Sequence, residues 1–263
     1  MLGIIKNLTR NAIRKNGLSP RAIQLNLKFR DIQFRRSSEM KCETPEYVTR
    51  IAVPSDYPYV LDFMCEHYFT TEPALVNIGL ASQEPSPILV DMMQKQIKEG
   101  MTIITLNEKG CIMGAVINGG TSPWYPDELR EAANCADNKD VARLLRFCAK
   151  IAEAPDPWKT HHTNKVFECA HMTVDPQYRG KGIGTKLVSD SWMLARDLGS
   201  RVFRMDCTSK FTAKTAQKIG LEYVMSIPFS SYVECDEFVF KNIKKPHDSV
   251  DIYLGFPSKP KQS

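Results

Sequence analysis

The residue types and spacing best suited to chemistry lie in one run, Met172-Thr173-Val174-Asp175-Pro176-Gln177-Tyr178-Arg179-Gly180-Lys181-Gly182-Ile183-Gly184-Thr185-Lys186-Leu187. A β-rich stretch leads into glycines at every second position, and a helical pattern follows. Without side chains, backbone N–H groups can converge on an anion, and the helix beyond adds unpaired donors and the positive end of its dipole. Arg179 and Lys181 bring positive charge to the same point. A pyrophosphate would fit such a cradle. A Rossmann dinucleotide site also runs strand, glycines, helix, and Asp206 lies at a suitable distance for a ribose contact. Two features disagree with it. Five residues, Asp175 to Arg179, separate the strand from the first glycine where that fold turns at once, and Thr185 stands where G-x-G-x-x-G needs its third glycine. A Walker A loop would require G-K-[ST] after four intervening residues, which is absent.

The elements that must position this loop follow from periodicity. Residues 47–53 alternate as a strand, stopped by Pro54-Ser55-Asp56; 56–68 and 88–99 carry apolar groups at helical spacing, the second helix closed by Gly100. Residues 101–106 and 112–117 read as an antiparallel hairpin about Asn107-Glu108-Lys109-Gly110. A polar and helical stretch, 122–159, punctuated by four prolines, reads as an insertion. Then come a strand at 166–174, a helix at 184–198, a strand at 201–205, a helix at 211–219 closed by Gly220, strands at 222–227 and 236–240, and a last strand at 250–256. That order implies an α/β protein of the α+β type, with a mixed sheet and helices packed on it.

Composition narrows the function classes. With 263 residues, 43% hydrophobic and 25% charged, the chain suits one large domain, expected over residues 45–256. A net charge of +5, with both signs mixed along most of the chain, argues against a dedicated nucleic-acid binder. No apolar run approaches the ~20 residues of a membrane span and no secretory h-region follows the start, so the sequon at Asn7-Leu8-Thr9 is expected to be idle. The eight cysteines show no C-x-x-C pair and read as thiols of a reducing compartment, with Cys169 and Cys207 in the core. His161, His162 and His171 lack the spacing of a metal site, and no metal is expected. Residues 1–44 are different: up to Arg30 they hold seven basic residues and no acid, with Leu2, Ile5, Thr9, Ala12 and Ile13 near one helical side. They read either as a disordered basic extension or as a mitochondrial presequence. The expected location is accordingly cytoplasmic, with the mitochondrial matrix as the alternative. Residues 257–263 are expected to form a flexible tail.

Arg179-x-x-Gly182-x-Gly184 matches the [QR]-x-x-G-x-[GA] motif of the GNAT superfamily of N-acetyltransferases, and Val174 to Leu187 resembles its strand-loop-helix unit. Three further segments resemble the insect arylalkylamine, dopamine-type, enzymes. These are Phe69-Thr70-Thr71-Glu72-Pro73, like their F-x-x-E-P; 206–214, like their C-S-S-x-Y-S-A-R; and Lys245-Pro246-His247, like a P-H near their C-terminus. The resemblance spans 47–256. It implies a GNAT fold whose strand before the loop is splayed from its neighbour, and acetyl-CoA as co-substrate. Met172, Thr173 and Val174 would pair with the pantetheine arm, and Arg179, Gly180, Lys181, Gly182, Ile183, Gly184 and Thr185 would hold the pyrophosphate.

The resemblance also implies roles for other residues. An amine acceptor with a pKa near ~10 must lose a proton before it attacks the thioester, and Glu72 matches the catalytic glutamate that would take it. Ala216 stands where many GNAT enzymes place a tyrosine, so the donors to oxyanion and thiolate fall to Thr208 and Thr212, which match two serines of the insect enzymes. Thr208 or Ser209 would serve equally as a helix N-cap. Phe69, Trp124, Tyr125 and Phe229 are expected to wall an aryl ring. The partner is then a small arylalkylamine, and the enzyme a monomer. An aliphatic polyamine-like amine, a protein or peptide amine, and a drifted acyl-CoA-binding module are the alternatives.

Overall fold

The computed structural model describes residues 47–257. The expectations for the basic segment 1–44 and for tail residues 258–263 lie outside them. Strands β1 (Tyr47–Ile51), β2 (Ile103–Asn107), β3 (Ile112–Thr121), β4 (Val166–Val174), β5 (Phe203–Cys207), β6 (Glu222–Pro228) and β9 (Ser249–Gly255) form one sheet in the order β1-β2-β3-β4-β5-β9-β6. Among the described strands only β4 and β5 pair in parallel. This is the expected mixed, mostly antiparallel α+β architecture.

Helices α1 (Tyr57–His67), α2 (Pro73–Ile78), α3 (Pro87–Ile97), α4 (Tyr125–Asn134), α5 (Lys139–Ala152) and α6 (Pro157–Thr160) precede β4; α7 (Ile183–Asp197) and α8 (Lys210–Lys218) follow it. Two apolar cores result. One gathers Val60, Met64, Ile97, Ile117, Leu145 and Phe147 with Ile252. The other packs Ile183, Leu187 and Val188 of α7 and Ala213 of α8 against Val116, Phe203 and Met205. Helix α7 lies close on β3 because Gly114 has no side chain: a Cβ there would meet Ile183 Cγ2 at 3.0 Å.

Two elements differ from the sequence reading, and the place of the last strand in the sheet lay beyond it. The last strand, β9, lies between β5 and β6, and all seven of its residues are buried; Val250, Ile252 and Leu254 enter one core and Tyr253 the other. The strand expected at 236–240 is instead part of a small separate hairpin, β7 (Val233–Glu234) with β8 (Glu237–Phe238). Its turn residues Cys235 and Asp236 sit at φ 51° and 60°. Helix α2 was not expected, because six residues are too few to show a period.

The insertion is tied to the sheet by one buried side chain. Arg204 on β5 donates from Nε to Asp206 Oδ1 at 2.8 Å and from its terminal nitrogens to the carbonyls of Ile151 at 2.7 Å and Ala152 at 3.2 Å, at the C-terminal end of α5. It thereby supplies donors to carbonyls that a helix end leaves without intrahelical partners. Replacing it by Met would leave the Ala152 carbonyl and the Asp206 charge without this donor, while the Ile151 carbonyl keeps the Ala154 N–H at 2.9 Å. Arg204→Met is expected to lower the unfolding free energy by roughly 3–5 kcal/mol, read from urea denaturation.

Candidate active site

The site forms where the sheet opens. β4 and β5 pair only at Phe167↔Phe203 and Glu168↔Arg204, after which the strands separate. Past Glu168, β4 continues to Val174 with β3 on one side and no partner strand on the other. A cavity of about 860 Å³ enters this opening, within the range of small-molecule and cofactor sites.

A bulge decides which β4 side chains face it. Asn118 opposes Cys169 and Ile117 opposes His171, which leaves Ala170 as the extra residue. The usual alternation flips there. Phe167 and Cys169 before the bulge, and Met172 and Val174 after it, lean toward the α7 core. The opposite face carries His171, 2.9 Å from the Tyr68 hydroxyl, and Thr173, which donates to His67 O at 3.4 Å.

One end of the cavity is the glycine loop. Gly180 and Gly182 sit at φ 78° and 82°, with open space where a Cβ would lie; glycine alone holds this backbone without strain. Gly182 is the N-cap of α7 and offers no side chain. The first helical bond is Lys186 N–H to Gly182 O at 3.0 Å, so the N–H groups of Ile183, Gly184 and Thr185 meet no acceptor among the described residues. Arg179 is folded back, its Nε donating to Val174 O at 3.0 Å. Met172, Thr173, Val174, Arg179, Gly180, Gly182, Ile183, Gly184 and Thr185 all line the cavity. Lys181 does not; its ammonium sits 5.2 Å from the centre of the Tyr178 ring, on the outside of the loop.

At the other end Glu72 is buried and is the N-cap of α2, accepting from Leu75 N–H at 2.7 Å. Burial pushes its carboxyl up from the ordinary value, opposed by hydrogen bonds from Thr208 and from the Leu75 and Ala74 N–H groups. Ser209 is the N-cap of α8, taking Phe211 N–H at 3.2 Å. Thr208 is therefore free of the capping role, and its hydroxyl opposes the rise of the Glu72 pKa. Thr212 lines the cavity one turn into α8, and its hydroxyl has no partner among the described residues. Ala216 is packed into the core.

Two of the four expected aromatic walls are elsewhere. Phe69 and Tyr125 line the cavity. Trp124 is 70% exposed, because it precedes α4, whose buried face is Pro126, Leu129 and Ala133. Phe229 is fully buried behind the wall, its ring 5.8 Å from Phe147 and 4.7 Å from Phe240. Tyr68 and Phe147 take the lining places instead.

Sequence reasoning also missed Glu168, His171 and Asp206 as members of the site, all of which line the cavity; Glu168 gave no signal inside its strand, His171 was weighed only as a metal ligand and Asp206 only as a ribose contact. Burial pushes the Glu168 carboxyl up to about 7, helped by Asp206 and opposed by Arg204. Asp206 is also raised by burial, opposed by Arg204. His247 has a structural task, its Nδ1 accepting Lys210 N–H at 3.1 Å at the start of α8. Among the described residues no group of His, Cys, Asp and Glu could hold a metal ion, and no helix is long and apolar enough to cross a membrane.

The cavity thus joins a cradle of free N–H groups, beside an opened parallel pair, to a buried carboxylate at its far end. The sequence model of the acetyltransferase (GNAT) family matches residues 81–215, more than half of the chain, and the chain belongs to that family. Among solved structures, it is similar to a mosquito arylalkylamine N-acetyltransferase-like 5b at 21% identity and TM-score 0.75, covering 80% of this chain and 100% of that one. It is also similar to a Drosophila melanogaster polyamine N-acetyltransferase that forms N-acetylagmatine, at 23% identity and TM-score 0.73 with the same coverage. An agmatine N-acetyltransferase matches at 24% identity and TM-score 0.71, over 80% and 99% of the two chains. At these identities the likeness establishes the fold.

Burial holds the His171 imidazole neutral, with its pKa lowered to about 4 from 6.5. The unfolded chain then takes up this proton first, so this group's contribution to stability is full above pH 6.5 and is lost as pH falls toward 4. A histidine ring titration by NMR is expected to place the His171 midpoint near 4; a midpoint above 6 would show that the site is open to water.

Proposed function

We propose that this acetyltransferase moves the acetyl group of acetyl-CoA directly to the primary amine of a small molecule, both held in one ternary complex. The observation that carries this reading is Glu72. It is a buried carboxylate with a raised pKa, reached by the same cavity as the glycine loop. A base works best when its pKa approaches the operating pH, and burial moves Glu72 in that direction.

The loop fits the donor. The N–H groups of 183–185 are positioned for the pyrophosphate, and the open edge of β4 at Met172, Thr173 and Val174 for the pantetheine arm. Acetyl-CoA supplies the thioester; the chain supplies position and proton handling. The amine nitrogen forms its bond to the carbonyl carbon, the carbon–sulfur bond breaks, and the proton lost by nitrogen passes to Glu72. Thr212 stands ready to donate to the developing negative charge, and Thr208 steadies the Glu72 carboxylate. An arylalkylamine would rest its ring against Tyr68, Phe69 and Tyr125. A second reading, an aliphatic amine with two charges, is favoured by the carboxylates of β4 and β5.

Glu72→Gln keeps an oxygen for the Leu75 N–H, so the fold is expected to stand, while kcat falls about 10²–10⁴-fold in a thiol-release assay with saturating acetyl-CoA. Turnover within threefold of the parent would remove Glu72 from the proton path. In the parent, kcat/KM should lose activity on the acid side at a pH above the ordinary carboxyl value of 4.5, since the folded-state pKa is raised.

Gly182→Ala places a Cβ in open space but in the left-handed region, at roughly 1–2 kcal/mol. If the variant loop relaxes when empty, acetyl-CoA binding must restore the strain. Calorimetry is then expected to show affinity weaker by about 5- to 30-fold.

A further inference from the structure

The cavity is lined by more carboxyl groups than acetyl transfer to a monoamine requires. Besides Glu72, it is lined by Glu168 and Asp206. Their strands are neighbours, and the Cα of Glu168 is directly paired with that of Arg204. Arg204 is the one cation close to them among the described residues, and its donors are committed. Nε serves Asp206, and the terminal nitrogens serve Ile151, Ala152, Ala154 and, at 3.5 Å, Pro155. The Glu168 carboxylate receives no hydrogen bond and no ion pair among the described residues. Two carboxylates thus share one guanidinium, and the one left over faces the cavity.

The space between is apolar. Leu144, Cys148 and Ile151 of α5 line it. The Cys148 thiol feels Glu72, Asp206 and Glu168 alike, and burial pushes it up to about 12, so it stays protonated and adds no charge. A carboxylate for the reacting nitrogen, an apolar wall, and a second, unpartnered carboxylate correspond to two cationic ends joined by methylenes. Burying a charge without a partner is costly, and a ligand cation removes that cost on binding.

We propose that Glu168, with Asp206 behind it, is a specificity site for a second cationic group. The preferred acceptor is then an α,ω-diamine or a guanidinoalkylamine, acetylated at the end near Glu72. The inference rests on the acetyl-transfer reading for its orientation, though the subsite can be tested without turnover. Asp206 is a poor place to test it, because removing that carboxylate strands Arg204. Glu168→Gln is nearly isosteric and removes a buried charge; Glu168→Leu serves as the second variant, and a thermal melt confirms that each is folded.

Two measurements separate the possibilities. In the first, thiol release with saturating acetyl-CoA compares putrescine and agmatine with butylamine and tyramine. The parent is expected to favour the dibasic amines in kcat/KM by about 10- to 100-fold over butylamine, the size of one hydrogen bond to a charged group. Glu168→Gln should erase at least tenfold of that preference, mainly through KM. In the second, calorimetry of putrescine and butylamine on the protein saturated with CoA should show the same preference in Kd, lost in both variants. No preference in the parent by either measurement overturns the subsite. An equal fall in kcat for monobasic and dibasic amines in Glu168→Gln also overturns it, and makes Glu168 a proton carrier. No turnover of any amine, with the putrescine preference intact in Kd, overturns acetyl transfer and leaves the subsite standing.

Discussion

The separation of β4 from β5 is the constraint on which the rest of the site depends. Parallel strands normally stay paired along their length, and leaving backbone groups without a ladder costs free energy unless something else satisfies them. Here the ladder stops after Phe167↔Phe203 and Glu168↔Arg204. The opening is held from both sides. β3 pairs with β4 along its whole length, and β9 pairs with β5 from Phe203 to Cys207. Insertion of β9 between β5 and β6 is thus part of what keeps the sheet split, because it gives β5 a full antiparallel partner on its far edge.

Chemistry is divided between backbone and side chains along this opening. The loop end depends on N–H groups at 183–185 and on the left-handed turns of Gly180 and Gly182, so it can grip a phosphate with little help from side-chain identity. The acceptor end depends on side chains brought from distant parts of the chain: Glu72 from the start of α2, Thr208 and Thr212 from α8, and Glu168 and Asp206 from two strands. The bulge at Ala170 lets one strand serve both cores, turning Phe167, Cys169, Met172 and Val174 to α7 while His171 and Thr173 face α1.

Burial sets the electrostatics of the acceptor end. It raises the carboxyls of Glu72 and Glu168 and holds His171 neutral, so each of these groups is biased toward its uncharged form. Arg204 limits this effect on Asp206 and at the same time closes the C-terminal end of α5. The residue that anchors the insertion is therefore the one that sets the charge of the cavity floor.

Much of this was legible in the sequence. The strand at 166–174 was read with both ends in place, because alternation, the glycines and the helical period beyond it are all local signals. The glycine loop was equally plain, since glycines at every second position between a strand and a helix are a local signal. Glu72, Thr208 and Thr212 were found through resemblance, and geometry then brought them to one cavity. What local pattern did not carry was depth and partnership. Trp124 and Phe229 were aromatic residues near suitable segments, yet one faces solvent and the other packs behind the wall. Glu168 looked like an ordinary polar interruption of a strand, and Asp206, just past the strand read at 201–205, suggested only a ribose contact or the start of the 206–214 segment. Their meaning comes from which strand lies beside them, where that pairing stops, and which of their charges Arg204 reaches. The sequence by itself determined the glycine cradle, because such a turn is built from consecutive residues. Only the tertiary structure decided the acceptor chamber, because a buried charge acquires its energy from neighbours remote in the chain.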